Sequence, residues 1–563
     1  MEVLFYLGII VVGIVVVFIN GSLAERKRYK RFLRSLDEDY GKKPEQEYEP
    51  GDMIRIARYH KSIPVKEGTI DDITWNDLDM DSVYQRMNVT QTSAGEEYLY
   101  HLLRTPSFER DELAKRDALI EFVDKEPDKR KNLQKILHGI GKVKRISLTD
   151  YLLLLSDLER ESNLPHYALD VVIVASFAYI FVEPGWGFLI FMVALAYSII
   201  WYYKRKGSIS PYITTFTHIL KMFQASEKIN KLNYEELSEY TTQLNAVRST
   251  FKNFSRNTYI IATGHRMSEN PLDLFLDYVR MIFHLDITKF NSMLKQLQEH
   301  YDQIYILRDV IGSLDAAVSI ASYRASLAYW CKPQFVSDEP NQVQLKATDI
   351  VHPLIDNPVP NSLEEGRGLL VTGSNASGKS TFLKTVAINA VLAQTINTVL
   401  AKEYRANMFH IYSSMALRDD LRSKESYYIV EIKSLKRILD AGKTQKPILC
   451  FVDEVLRGTN TVERIAASSM IMHSLALSHI MCIAATHDIE LTHMLEDVYS
   501  NYHFQEEIEE NDIRFNYQLY QGRAKTRNAI KLLGIIGYDE SIINEAERIA
   551  KKFTETGEWS RVT

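Results

Sequence analysis

The sequence predicts two structural classes in one 563-residue chain. An α/β domain of the phosphate-binding-loop type fills the C-terminal third. An all-α region with about three transmembrane helices precedes it. Three observations carry this expectation. From about residue 345 onward, short apolar or β-branched runs alternate with helical stretches, as in a parallel sheet buried on both faces. Residues 76–165 and 210–335 instead carry apolar positions spaced at three and four, the helical period. Three apolar segments, at 3–19, 168–182 and 185–203, break the pattern of a soluble chain.

Composition sets the outer limits. With 46% hydrophobic and 25% charged residues the chain has enough apolar material for several packed cores, which excludes long disorder. A net charge of −6 gives no global attraction to nucleic acid, so a phosphate backbone would have to meet a local basic patch. Cys331, Cys450 and Cys482 lie far apart and lack metal-ligand spacing. They are expected as reduced, mostly buried thiols of a cytosolic compartment.

The first apolar segment has only Met1 and Glu2 before it, while Arg26, Lys27, Arg28, Lys30, Arg31 and Arg34 follow it. A cleaved signal wants its positive charge on the other side, although Ser22 and Ala24 resemble a cleavage site. The positive-inside rule makes it an anchor, with residue 21 onward in the cytosol. Glu183 and Pro184 split the second apolar region into the arms of a hairpin. Trp201, Tyr202 and Tyr203 stand where an interfacial aromatic belt would lie, and Lys204, Arg205 and Lys206 close the run. A buried soluble hairpin is the alternative, since the first arm is short and contains Asp170. Residues 21–75, charged and turn-rich, are expected as a juxtamembrane linker.

The chemistry concentrates after residue 368. Gly373, Ser374, Asn375, Ala376, Ser377, Gly378, Lys379 and Ser380 fit G-x-x-x-x-G-K-[ST]. A strand-like run precedes them and a helical run from Thr381 follows, the context in which backbone amides and a helix N-terminus face phosphates. Lys379 would reach the β- and γ-phosphates of ATP, and Ser380 would ligate Mg²⁺. An apolar run at 447–452 ends in Asp453 and Glu454, suited to holding Mg²⁺ and to activating a water. A third run, at 481–485, ends in Thr486 and His487 at the carboxyl edge of the expected sheet. Seen alone, the acidic pair would read as a helix cap and the histidine as structural.

In this order the residues resemble the ATPase domain of the MutS family, the DNA mismatch-repair proteins, over about 345–548. His352-Pro353 resembles the His-Pro segment before the family's loop. Residues 373–381 resemble GPNMGGKST, with Ser374 and Asn375 in the proline and asparagine places. Asp419, Asp420 and Leu421, followed by residues 426–431, resemble DDL…STFMVEM. Residues 453–461 resemble DEIGRGTST and residues 485–491 resemble ATHYFEL. Upstream, residues 87–95 and 102–106 are similar to the start of the helical core, which reads T-x-T-x-x-G.

The resemblance implies an ABC-type P-loop ATPase that uses ATP and Mg²⁺ and works as a homodimer with DNA as partner. Ser426 would complete the nucleotide site of the opposite subunit. Asn460 and Thr461 would lie in the loop at the dimer interface, and His487 would sense the γ-phosphate. The adenine would pack near Val359 and Tyr517, with Pro358 standing where the family has an aromatic. No Phe-x-Glu wedge occupies residues 1–76, and no clamp insertion is evident. The resulting order is an anchor at 1–20, a linker at 21–75 and a MutS-like helical core from 76 to 165. A membrane hairpin at 167–203, core and lever helices at 207–340 and the ATPase domain at 345–563 complete it. This would make a multi-pass protein of the inner (cytoplasmic) membrane whose ATPase domain faces the cytosol. The competing reading is an ATP-driven membrane motor or switch with a protein or membrane client. Arg248, Lys252 and Arg256 offer only a small basic cluster, which also reads as a solvated helix face.

Overall fold

The computed structural model describes residues 23–559, apart from 25, 144–145, 252–277, 337–341, 375–376, 416–426, 457–458, 510–511, 525–529, 531–532 and 534–535. These form two compact units. One gathers Met1–Pro64, Met87–His101 and Ala118–Ser326; the other gathers Val65–Arg86, Leu102–Asp117 and Leu327–Thr563. The chain therefore contributes two early segments to the unit that its C-terminal third completes, where contiguous blocks were expected.

The first unit is helical, because its apolar residues recur at three and four and its breakers sit at helix ends. Pro127 and Pro184 each open a helix, Pro127–Ile140 and Pro184–Leu232, where a missing N–H costs nothing. Ser147 caps the helix Leu148–Ser156 by accepting from the Asp150 N–H at 2.8 Å. The helix Tyr301–Ser326 runs through the middle of the core, with Ile304, Leu307, Ile311, Leu314 and Ala321 at or near zero exposure.

Here the T-x-T-x-x-G pattern acquires its cause. Asp315 is buried, and its carboxylate accepts from the Gln91 N–H, the Thr92 N–H and the Thr92 hydroxyl at 2.6–3.0 Å. It thus satisfies amides at the start of the helix Ser93–Arg104 from a distant element. A Cβ on Gly95 would stand 2.3 Å from Asp315 Oδ2, so only glycine admits the carboxylate.

The hairpin is present, with arms Leu164–Tyr179 and Pro184–Leu232. Two expectations change. The second arm does not end near 203: it continues as one 49-residue helix into the core of the helical unit, a length of about 74 Å. Among the described residues only one helix, over Pro184–Ile209, is long and apolar enough to cross a membrane, not about three. The first arm has 16 residues, and residues 3–19 lie outside the described ones. Around the turn and along the apolar part of both arms, most of the apolar side chains are uncovered. Val171, Phe181, Val182, Trp186, Val193 and Ile200 are each about two-thirds to four-fifths exposed.

The linker expectation also changes. Residues 26–38 form a helix whose Leu36 is buried, and Ile56, Tyr59, Ile70 and Trp75 are core residues.

The second unit holds two sheets. Strands are numbered β1 (Gln334–Phe335), β2 (Leu345–Ile350), β3 (Asn361–Glu365), β4 (Gly368–Thr372), β5 (Glu403–Ala406), β6 (His410–Ser414), β7 (Ile448–Asp453), β8 (Ile480–Ala485), β9 (Tyr499–Glu509) and β10 (Asp512–Gln521). The large sheet has the order β10-β9-β4-β8-β7-β6, parallel except for the antiparallel edge pair β9–β10. β4 and β8 are buried throughout and β7 at all but its last residue, as expected of strands covered on both faces. The small sheet, β1-β5-β2-β3, was not foreseen. All three cysteines are free thiols, Cys450 and Cys482 being buried register partners on β7 and β8.

Candidate nucleotide-binding site

β4, β7 and β8 are neighbours and parallel, so their carboxyl ends open onto one edge. The expected residues meet there. After β4 the chain turns through Gly373 at φ +143° and Gly378 at φ +105° into the helix Lys379–Ile396. Both glycines are required. A Cβ on Gly373 would stand 2.8 Å from the Phe504 carbonyl oxygen, and both φ values lie where a side chain is strained.

Lys379 is buried and folded back, donating from Nζ to the carbonyls of Gly373 and Ser374 at 2.8 Å each. Its Nζ also lies 3.3 Å from His487 Nε2. Ser380 donates from Oγ to Asp453 Oδ2 at 2.6 Å, linking the first helical turn to the end of β7. Glu454 follows in a left-handed conformation, φ +56°, fixed by its N–H donating to the Ala485 carbonyl at 2.9 Å. Its Oε1 meets His487 Nε2 at 2.9 Å. A non-glycine residue at positive φ next to polar groups at a sheet edge is strain of the kind functional sites retain.

The hydroxyl of Ser380 and the carboxylate of Asp453 are hard oxygen donors that already face each other. That pair fits Mg²⁺, which takes few protein ligands and completes its shell with water and phosphate oxygens. No cluster of three or more His, Cys, Asp or Glu side chains that could hold a metal occurs among the described residues.

Beside the helix N-terminus lies a cavity of about 450 Å³, lined by Val359, Asn361, His352, Phe382, Phe504 and Tyr517 among others. Val359 and Tyr517 thus share one pocket, although 158 positions separate them. Asn361 explains how. It donates to the Tyr517 carbonyl at 3.0 Å and accepts from the Leu519 N–H at 2.7 Å, bracing the irregular stretch of β10 where Tyr517 sits at φ +53°. His352 accepts at Nδ1 from the Leu354 N–H at 3.2 Å. Burial, with Lys384 nearby, lowers its pKa to about 4. It is a neutral imidazole at physiological pH, with Nε2 carrying the proton.

Asn460 caps the helix Thr461–Ser474 by accepting from the Val462 N–H at 3.0 Å, and both Asn460 and Thr461 are exposed. Arg464 in that helix grips Asp488, next to His487, through two bonds of 2.6 and 3.1 Å. Glu431 accepts from the N–H of Leu456, tying the helix Tyr427–Ala441 to the loop after Glu454. Asn375, Ala376, Asp419, Asp420 and Ser426 lie outside the described residues. Asn361, Phe504 and Glu506, which accepts from the Ser374 hydroxyl at 2.8 Å, escaped the sequence reading. Nothing local in the sequence marks Glu506, which reaches the loop from 132 positions away.

Residues 369–554 match the family described as MutS domain V. That part of the chain is similar to MutS domain V. It is 30% identical over 270 residues to the DNA mismatch repair protein MutS of Pseudothermotoga lettingae, covering 46% of this chain and 33% of that protein. It is 28% identical over 318 residues to human MutS protein homolog 4, covering 53% and 33%. With the DNA mismatch repair protein MutS of Rickettsia bellii it shares 27% over 371 residues, covering 62% and 39%. The chain spans about a third of the length of the curated relatives it matches. The MutS domain V match contains β4 from its second residue, β5 to β10 and the loop at 373–380.

Proposed function

We propose that this chain is a MutS-type protein that binds and hydrolyses Mg-ATP as a homodimer, and that it is a mismatch-repair-related protein acting on DNA at the cytosolic face of a membrane. The observation that carries the ATPase reading is the meeting of Lys379, Ser380, Asp453, Glu454 and His487 at one sheet edge, linked by contacts of 2.6–3.3 Å.

The roles follow from the geometry. The amides of the loop and the N-terminus of the helix Lys379–Ile396 hold the phosphates. Lys379 exchanges the Gly373 and Ser374 carbonyls for β- and γ-phosphate oxygens, so its ammonium is kept in place before substrate arrives. Ser380 and Asp453 would hold Mg²⁺, which would supply charge neutralisation at the phosphates. Glu454 takes a proton from the water that attacks the γ-phosphorus, and the bond to the β–γ bridging oxygen breaks. His487, bonded to Glu454, orients that carboxylate and lies beside the γ-phosphate position. Ser426 of a second copy closes the site, with Asn460 and Thr461 at the seam. The adenine enters the cavity between Val359 and Tyr517.

The membrane part of the reading is supported by the uncovered hairpin. Within Pro184–Ile209 the most apolar 18-residue stretch has a mean hydropathy of 1.7, yet only 22% of it is buried. So large an apolar surface is not left to water in a folded protein. From Pro184 to Tyr203 the arm extends about 29 Å, close to the thickness of a bilayer core. That same surface favours the second reading, an ATP-driven switch with a membrane or protein client.

ATP turnover of the purified full-length protein tests the site: Lys379→Ala and Glu454→Gln should each lower it by about 10²–10⁴-fold. Turnover unchanged from wild type in both variants overturns the assignment. Duplex, mismatched and branched DNA, each tested across a salt series, decides between the readings. Stimulation that weakens with salt supports DNA, and no stimulation with no salt-dependent binding leaves the second reading.

A further inference from the structure

The helix at residues 26–38 carries a charge pattern that neither the nucleotide site nor the hairpin uses. Arg26, Lys27, Lys30, Arg31 and Arg34 recur at i, i+1, i+4, i+5 and i+8. At 3.6 residues per turn they fall within an arc of about 140°, along about 12 Å of helix. All five are exposed, and none forms an ion pair among the described residues.

The opposite face is fastened to the helical unit. Phe32 stacks on His138 with ring centroids 3.6 Å apart and planes 11° from parallel. Leu36 is buried at 4% exposure. At the C-terminal end of the helix, on the basic side, Asp37 pairs with Lys131 at 2.5 Å, and just beyond the helix Tyr40 donates to Asp124 at 2.6 Å beneath the Arg130 guanidinium. The basic row is therefore held on a fixed side of the unit instead of on a loose tether. No carboxylate stands between Arg26 and Arg34; on the same arc beyond Arg34, Asp37 is engaged by Lys131 and Glu38 ends the helix.

Such a face needs an anionic partner, and the sequence says which lies nearest. The uncharged run at residues 3–19 ends seven positions before Arg26, so a membrane holding that run brings its headgroups within reach of the row. We infer that Arg26, Lys27, Lys30, Arg31 and Arg34 form a docking face for anionic phospholipid headgroups. Because the face is rigid with the helical unit, headgroup binding would fix how that unit stands on the bilayer. The inference rests on the membrane part of the proposed function.

The full-length protein in neutral detergent tests it, with native mass spectrometry counting bound lipid. Phosphatidylglycerol and phosphatidylcholine are the two probes. Wild type should retain phosphatidylglycerol in preference to phosphatidylcholine, with affinity falling as salt rises. Lys30→Gln or Arg31→Gln should each weaken phosphatidylglycerol binding about fivefold. Single variants keep four of the five cations, so insertion and topology are preserved. The variant with all five replaced by glutamine should lose the preference while keeping the melting temperature of wild type. Equal retention of phosphatidylglycerol by wild type and this variant overturns the inference. So does loss of duplex DNA binding with lipid retention unchanged, which would give the face to nucleic acid. Failure of the underlying reading is separate: carbonate would then release the wild-type protein from membranes without detergent.

Discussion

Asn361 holds both Tyr517 and the backbone around it, so one side chain sets the shape of the pocket in which Val359 and Tyr517 meet. Asn361→Ala removes two hydrogen bonds and frees the irregular part of β10. Nucleotide affinity should fall by about tenfold or more, with turnover at saturating ATP less affected, as a titration with a fluorescent ATP analogue would report. His352 gives a prediction in pH. Its pKa is lowered to about 4, below the ordinary value of 6.5, because burial disfavours the charged ring. Its charge therefore does not change between pH 5.5 and 8, and nucleotide affinity should carry no histidine titration from this residue there. A His352→Gln variant should leave the shape of the affinity–pH curve unaltered; a curve that loses an inflection near pH 6.5 would contradict this.

Elements are joined in the helical unit by buried carboxylates that reach across to helix ends. Asp315 supplies the cap for the helix Ser93–Arg104, and Gly95 leaves room for it. Gly95→Ala forces the two apart and should destabilise the protein by about 1–3 kcal/mol, read from the shift of its denaturation midpoint. Glu97 does the same for the helix Leu148–Ser156, accepting from the Leu148 N–H at 2.8 Å and the Thr149 hydroxyl at 2.6 Å. Burial raises the Glu97 pKa from 4.5 to about 7, against the lowering effects of the Thr149 hydroxyl and Arg308. The folded state thus holds this proton more tightly than the unfolded chain. The stabilisation is complete below about pH 4.5 and is lost as pH rises through 7. Denaturation midpoints between pH 5 and 8 should decline less in Glu97→Gln than in wild type; identical slopes would show that Glu97 does not titrate in this window.

For the whole molecule, the decisive contrast is between an α/β unit with covered strands and a helical unit that leaves a hairpin uncovered. Removing the hairpin tip would not test this, because the second arm continues into the core of the same unit as one helix. Placing charge on its exposed side would. Val193→Arg puts a cation about two-thirds exposed in the middle of the apolar stretch, which water tolerates and a bilayer core penalises by about 3 kcal/mol. Reduced membrane insertion in a glycosylation or protease-protection assay is the expected result. Unchanged insertion with unchanged ATP turnover would favour a hairpin that contacts protein.

What the sequence determined by itself was the chemistry that depends on neighbours along the chain. The loop at 373–380, the acidic pair at 453–454 and the 486–487 edge each sit at the end of one strand, so their place follows once the strands are identified. Alternation of apolar runs with helical stretches was enough to identify β4, β7 and β8, because parallel strands covered on both faces leave continuous apolar runs. The helical unit was legible for the same reason, through its three-and-four spacing. What only the tertiary structure decided depends on contacts between distant positions. The small sheet rests on short, half-exposed strands whose pairing has no periodic signature. Asn361 and Glu506 act on residues more than a hundred positions away. The supposed linker at 21–75 became folded structure because Leu36, Ile56 and Tyr59 found cores to enter. Local charge and turn content describe the solvent side of such a segment, and say nothing about what its few apolar residues will meet.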